Sequence, residues 1–127
     1  MLLLLIILIK ISKPELPPSN ANLGSLNLSF FIENGYEANA TINWDQLAES
    51  TAILIRFLDN VVTWNEDLNA LDKQRQAAIE TRRLGLGVMG IADMLNQLGL
   101  YYDSDEAIDF IEKVMEFITN AAYQASS

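Results

Sequence analysis

The stretch Gly85-Leu86-Gly87-Val88-Met89-Gly90, entered through Glu80-Thr81-Arg82-Arg83-Leu84, decides how the rest of the chain is read. Three glycines at these spacings match the G-x-G-x-x-G pattern of dinucleotide-binding loops. That loop needs a hydrophobic strand running into its first glycine and an acidic residue about twenty positions on, at the end of the next strand. Here the approach is charged, and the downstream acids Asp103 and Asp105 stand at the start of a helix-like segment. The pattern fails on both flanks. The glycines are therefore expected to let a short buried strand, Leu84 to Val88, pack tightly against the helix that follows.

Working outward, Met89 to Leu100 reads as a helix with Met89, Ala92, Leu95 and Leu98 turned inward and a stop at Gly99. A last helix opens at Asp103 or Ser104. Asp105 and Glu106 sit on the favourable end of its dipole, and Ile108, Ile111, Met115, Ile118 and Ala122 form its apolar stripe. Toward the N-terminus, Leu71 to Arg83 is a short polar helix. Before it lies the clearest helix, residues 44–63, with Asn43 as N-cap and Gln46 three residues on. Leu47, Thr51, Leu54, Ile55, Leu58 and Val62 line its inner face, and Trp64 is expected to pack just beyond its end. LGSLNLSFFI (residues 23–32) reads as a strand, and Asn34-Gly35 as a turn. The fold class is α/β with helix dominant.

The 127 residues suffice for one domain with a true core. With 8 basic against 17 acidic residues the net charge is −9, which disfavours nucleic acid as a partner. There is no cysteine and no histidine. Thiolate nucleophiles, thiolate metal sites, disulfides and imidazole acid–base chemistry are excluded. The acids are scattered along helix faces, as solvated surfaces require, and no metal site is expected.

The opening MLLLLIILIK holds nine apolar residues before Lys10, about half of what a membrane-spanning helix needs. Its lysines follow the apolar block and no small-residue cleavage site is present, so it does not read as a secretory signal. It is either a buried strand or a leader outside the domain. Pro14, Pro17 and Pro18 mark an extended connector.

RRLGLGVMGIADMLNQLGLYYDSDEA (residues 82–107) resembles a segment of the ribonucleotide reductase catalytic subunit. Arg82, Arg83, Gly85, Gly87, Val88, Gly90, Ala92, Asp93, Tyr102, Asp103 and Ser104 carry the likeness. Asn22-Leu23-Gly24-Ser25-Leu26-Asn27-Leu28 is similar to that family's Asn-Leu-Gly-Ser-Ile-Asn-Leu strand, and Arg56-Phe57-Leu58-Asp59-Asn60-Val61 to the helix after it. The three motifs stand in the family's order, and the wording resembles the adenosylcobalamin-dependent branch. The resemblance implies a partial ten-stranded α/β barrel over residues 14–127, with 1–13 as a foreign apolar leader. It also implies a parent enzyme of the cytoplasm that reduces ribonucleotides to DNA precursors through a thiyl radical, with a dithiol as reductant. By the same resemblance Ala21, Asn22, Leu23, Gly24 and Ser25 line the substrate.

The departures are chemical. Where the family places a reducing cysteine before Asn-Leu-Gly-Ser, this chain has Ala21, whose methyl can form no disulfide. Upstream, LIKISKPELPP offers no cysteine, and Glu15 stands too close to Pro17-Pro18 to serve as the family's glutamate. The family's later strands and phosphate-holding loop are expected to be missing. No catalytic residue is therefore assigned, and no cofactor is expected to bind this chain alone. Two other readings stay open: one piece of a split reductase, or a small acidic helical interaction module.

Overall fold

A computed structural model describes the backbone of residues 7–9 and the whole of residues 21–127. The prolines at 14, 17 and 18, Glu15 and the rest of the apolar opening lie outside the described residues. In chain order the elements are β1 (Ile7–Ile9), β2 (Asn22–Asn27), a 3-10 turn (Leu28–Phe31), β3 (Ile32–Glu33), β4 (Thr41–Ile42) and α1 (Trp44–Trp64). There follow α2 (Asp72–Thr81), β5 (Leu84–Met89), α3 (Ile91–Leu98) and α4 (Asp105–Ser126). The α/β class with helix dominant is as expected.

The sheet has the order β1-β5-β2, with β2 parallel and β1 antiparallel to β5; β3 and β4 form a separate antiparallel pair. The order runs from one edge to another, so among the described residues the sheet is open and not closed into a barrel. Parallel neighbours need a crossover, which α1 and α2 supply between β2 and β5. Alternation along β5 sends Leu84, Leu86 and Val88 to one face, where all are buried. They join Leu47, Ile55, Leu58 and Val62 of α1 and Val114, Ile118 and Ala122 of α4 in one core. The two buried hydroxyls there are satisfied locally: Thr51 Oγ1 donates to the Leu47 carbonyl and Thr81 Oγ1 to that of Ala77, each at 2.7 Å.

Caps set the element ends. Asn43 Oδ1 accepts from Gln46 N at 2.9 Å and opens α1. The same amide, through Nδ2, donates to Glu33 Oε1 at 2.6 Å, so one side chain both starts the helix and ties it to β3. Ser104 Oγ accepts from Ala107 N at 3.2 Å and opens α4, with Asp105 and Glu106 in its first turn. Trp44, at the first turn of α1, meets the edge of Phe117 with centroids 4.8 Å apart, which pins α4 beside it.

Four expectations are corrected. The strand beginning at β2 ends at Asn27, not Ile32, because Asn27 Oδ1 accepts from both Ser29 N (3.2 Å) and Ser29 Oγ (2.8 Å) and winds the chain into the 3-10 turn. Trp64 is itself the last residue of α1 and is 72% exposed. In α3 Leu95 is buried and Leu98 packs against the core as expected, but Met94 is the other buried residue; Ala92 is exposed, and Met89 belongs to β5 and is exposed as well. Gly90 takes a left-handed conformation, and the helix starts at Ile91, two residues later than the apolar spacing suggests. The stripe of α4 holds at Ile118 and Ala122, which are buried, and at Ile111 and Met115, which pack against the core, but it turns toward Ala107 and Val114, also buried, and leaves Ile108 56% exposed. α4 packs along α1 with Ala107 and Ala122 fully buried.

Candidate substrate-facing strand pair

β2 and β5 run parallel in the register Asn22–Leu84, Leu23–Gly85, Gly24–Leu86, Ser25–Gly87, Leu26–Val88 and Asn27–Met89. In-register neighbours point the same way, so the pair has two unlike faces. One face, with Asn22, Gly24 and Leu26 beside Leu84, Leu86 and Val88, lies against the helices. Asn22 Nδ2 donates to the Leu58 carbonyl of α1 at 3.4 Å. A methyl on Gly24 would stand 3.0 Å from Leu54 Cδ1. The opposite face carries Leu23 and Ser25 beside Gly85 and Gly87.

The five residues expected to line a substrate are thus divided. Leu23, 60% exposed, and Ser25 share the face away from the helices, and Ala21 immediately precedes the strand. Asn22 and Gly24 are turned toward α1 and hold β2 to it. The period of two carries this division, and it is legible in the sequence once the stretch is known to be a strand.

The glycines answer the opening question. Gly85 and Gly87 lie inside β5, both buried, so no loop is formed there to cradle a phosphate. A close approach is made by Gly90, at a φ of 74°, whose missing Cβ would collide with Asn27 Oδ1 at the end of β2. From α3, Gln97 Nε2 donates to the Ser29 carbonyl at 3.2 Å and the Gln97 carbonyl accepts from Tyr36 N at 2.7 Å. These bonds lock the carboxyl ends of the two strands together.

At the other end of β5 stands a feature that sequence reading missed. Arg82 is left-handed (φ 40°, ψ 48°) without being glycine. Its Nε donates to Asp59 Oδ1 at 2.8 Å, and one terminal nitrogen donates to the Asp59 carbonyl (3.0 Å) and Thr63 Oγ1 (2.9 Å). The hydrogen bond to the Asp59 carboxylate, aided by its charge and that of Glu66, raises the Arg82 pKa against the opposing pull of burial. No spacing in the sequence announces this pair, 23 residues apart.

Chemically, that face offers the Leu23 side chain and the Ser25 hydroxyl, while the glycine backbone of β5 beside them is buried. It can shape and position a ligand but holds no group able to carry an electron. Among the described residues no cluster of three or more acids could hold a metal. Among the described residues, clefts of about 300 to 460 Å³ are too small for a corrin ring. No described helix is long and apolar enough to cross a membrane.

A sequence model described as "Ribonucleotide reductase, barrel domain" matches residues 14–127. The chain is 39% identical over 113 residues to the vitamin B12-dependent ribonucleoside-diphosphate reductase of Mycobacterium tuberculosis, covering 89% of this chain and 15% of that protein. It is 40% identical over 114 residues to the enzyme of the same name from Thermoplasma acidophilum, 90% of this chain and 14% of that one. With the ribonucleoside-diphosphate reductase subunit alpha of Chlamydia pneumoniae it shares 40% identity over 108 residues, 84% of this chain and 10% of that subunit. The chain spans between 10% and 15% of the length of these relatives.

Proposed function

Because this chain belongs to the ribonucleotide reductase barrel-domain family, we propose that it is a segment of a reductase that converts ribonucleotides to deoxyribonucleotides, and that alone it does not turn over. The observation that carries the proposal is Ala21. It immediately precedes β2, where the resemblance calls for a reducing thiol, and a methyl group cannot take part in dithiol–disulfide exchange.

In this reading the domain is residues 14–127, the span of the family match, with 1–13 as a leader. The parent works on nucleotides in the cytoplasm. Leu23 and Ser25 contribute one wall of its substrate site, while Asn22 and Gly24 hold that wall to α1. Adenosylcobalamin belongs to the parent, as the names of two relatives suggest; no step is assigned to it here, since these residues do not fit it. The ribonucleotide and the dithiol reductant are likewise the parent's partners.

The test is direct. The purified chain is supplied with adenosylcobalamin, a dithiol and each ribonucleoside di- or triphosphate. No deoxyribonucleotide is expected, and sustained formation of one would overturn the proposal.

A second reading, one piece of a split reductase, is favoured by the outer edge of β2, which pairs with no further strand among the described residues. Affinity purification of the tagged chain from its own cells should then recover a polypeptide carrying further barrel strands. Recovery of none would end that reading.

A further inference from the structure

The loop between β3 and β4 carries Asn34-Gly35, and the fold leaves this pair in the open. Asn34 is exposed and left-handed at a φ of 52°, and Tyr36 is left-handed at 69°. At Gly35 it is space and not backbone angle that favours glycine, since a methyl there would stand 2.6 Å from Gln97 Oε1. Beyond the glycine the chain folds back: Tyr36 N donates to the Gln97 carbonyl at 2.7 Å and Glu37 N to the Asn34 carbonyl at 3.0 Å. The Gly35 N–H itself donates to no backbone carbonyl among the described residues. An unshielded peptide nitrogen therefore follows an exposed carboxamide, the arrangement from which a cyclic imide closes.

We propose that Asn34 is a site of spontaneous deamidation in this chain. The Gly35 amide gives up its proton and its nitrogen bonds to Asn34 Cγ, while the bond from Cγ to the side-chain nitrogen breaks and ammonia leaves with the proton. Water then opens the imide. Cleavage between Cγ and the Gly35 nitrogen leaves aspartate; cleavage between that nitrogen and the main-chain carbonyl carbon leaves isoaspartate, with the chain running through the side chain. Water is consumed and ammonia released, and nothing is oxidised or reduced. Glu37 N assists the first step. Charge on the deprotonated peptide spreads onto the Asn34 carbonyl oxygen, which this N–H already meets, and a hydrogen bond to the charged form favours it. Other asparagines lack the arrangement. Asn39 is also exposed, but the Ala40 N–H after it is spent on the Glu37 carbonyl at 3.1 Å. Asn60, Asn96 and Asn120 lie within helices, where the next N–H is held in the ladder. Asn69 is followed by Ala70, whose methyl crowds the approach. The isoaspartate product lengthens the backbone just ahead of Tyr36, so it should draw Tyr36 N away from Gln97 and loosen the loop from α3.

Peptide mapping by mass spectrometry tests the proposal on the whole folded chain, aged at mildly alkaline pH beside a synthetic peptide of residues 30–38. Asn34 is expected to convert ahead of every other asparagine, at least about tenfold faster than Asn39, a barrier difference of about 1.4 kcal/mol. Its rate should approach that of the peptide, and both aspartate and isoaspartate should form. Asn34→Gln should abolish the modification, because the longer side chain closes its ring far more slowly, and Gly35→Ala should slow it. In the purified isoaspartate form the Tyr36 amide should exchange its hydrogen at least about tenfold faster than in the unaged chain. Circular dichroism establishes that each protein is folded. An Asn34 that stays intact in the folded chain while the peptide converts overturns the proposal. So does earlier conversion at another asparagine, or aspartate formed without isoaspartate, the mark of direct hydrolysis. A Tyr36 amide as protected in the isoaspartate form as before overturns the claimed effect on the loop.

Discussion

Arg82 and Asp59 meet across the junction where α2 turns into β5: the guanidinium closes on both the carboxylate and the backbone carbonyl of the aspartate, at 2.8 and 3.0 Å. The contact fastens the entrance of the glycine-bearing strand to the middle of the helix that covers it. It also holds a non-glycine residue in the left-handed region, at a φ of 40°.

Two substitutions separate the clamp from the strain it bears. Arg82→Ala removes three hydrogen bonds and keeps the disfavoured backbone. With Arg82 35% and Asp59 46% exposed, solvent screening limits the loss to about 1–2 kcal/mol. Arg82→Gly loses the same bonds but relieves the left-handed strain, so it should be the milder change by up to about 1 kcal/mol. Urea unfolding of the three proteins checks the order; alanine equal to or milder than glycine would contradict it.

The raised pKa of Arg82 fixes the sign of one pH effect. A cation whose folded-state pKa lies above its unfolded value contributes its full stabilisation below the unfolded pKa and loses it only as pH rises through the folded one. For an arginine that window lies above about pH 12. The stability difference between wild type and Arg82→Gln is therefore expected to stay flat from about pH 7 to 10. A difference that shrinks across this range would show that another group carries the contact.

Gly90 carries two constraints at once, a φ of 74° and a collision awaiting any Cβ at Asn27 Oδ1. Gly90→Ala is expected to cost about 2 kcal/mol or more. Adding Asn27→Ala removes the collision and leaves the strain, so the double variant should lose less than the sum of the singles. Additive losses would mean that the two residues do not meet.

Asn43 acts through both ends of its amide. Asn43→Ala should cost about 1 kcal/mol through the lost helix cap. Asn43→Asp keeps a capping oxygen but sets a carboxylate against Glu33, in place of the 2.6 Å donor bond, and should recover only part of that loss. Thermal unfolding near neutral pH checks this; an aspartate variant as stable as wild type would contradict the link to β3.

Much of this architecture was legible because it is local. The period and cap of α1 gave its ends to within a residue, since Asn43 and the apolar face from Leu47 to Val62 both speak within one turn of where they act. Short apolar runs were harder. Asn27 ends β2 with its own side chain, and Gly90 shifts the start of α3, so period alone placed Met89 and Ala92 on the wrong face. For α4 two apolar stripes compete, and the choice depends on α1, a partner the local pattern does not contain. The five resembling site residues were readable as a strand. The period of two then divides them, while the register with β5 and the Leu58 and Leu54 contacts show which set faces the helices; Arg82 with Asp59 gave no sign at all.

The central claim is that this chain keeps the scaffold of a reductase strand pair and lacks its sulfur. The measurement that meets it most directly replaces the matching segment of the Mycobacterium tuberculosis vitamin B12-dependent reductase with residues 21–127 of this chain, once as it stands and once with Ala21→Cys. Deoxyribonucleotide formation is then assayed in both chimeras. The account predicts turnover in the cysteine chimera and none in the alanine chimera. Turnover with alanine, or a folded cysteine chimera that stays silent, would contradict it.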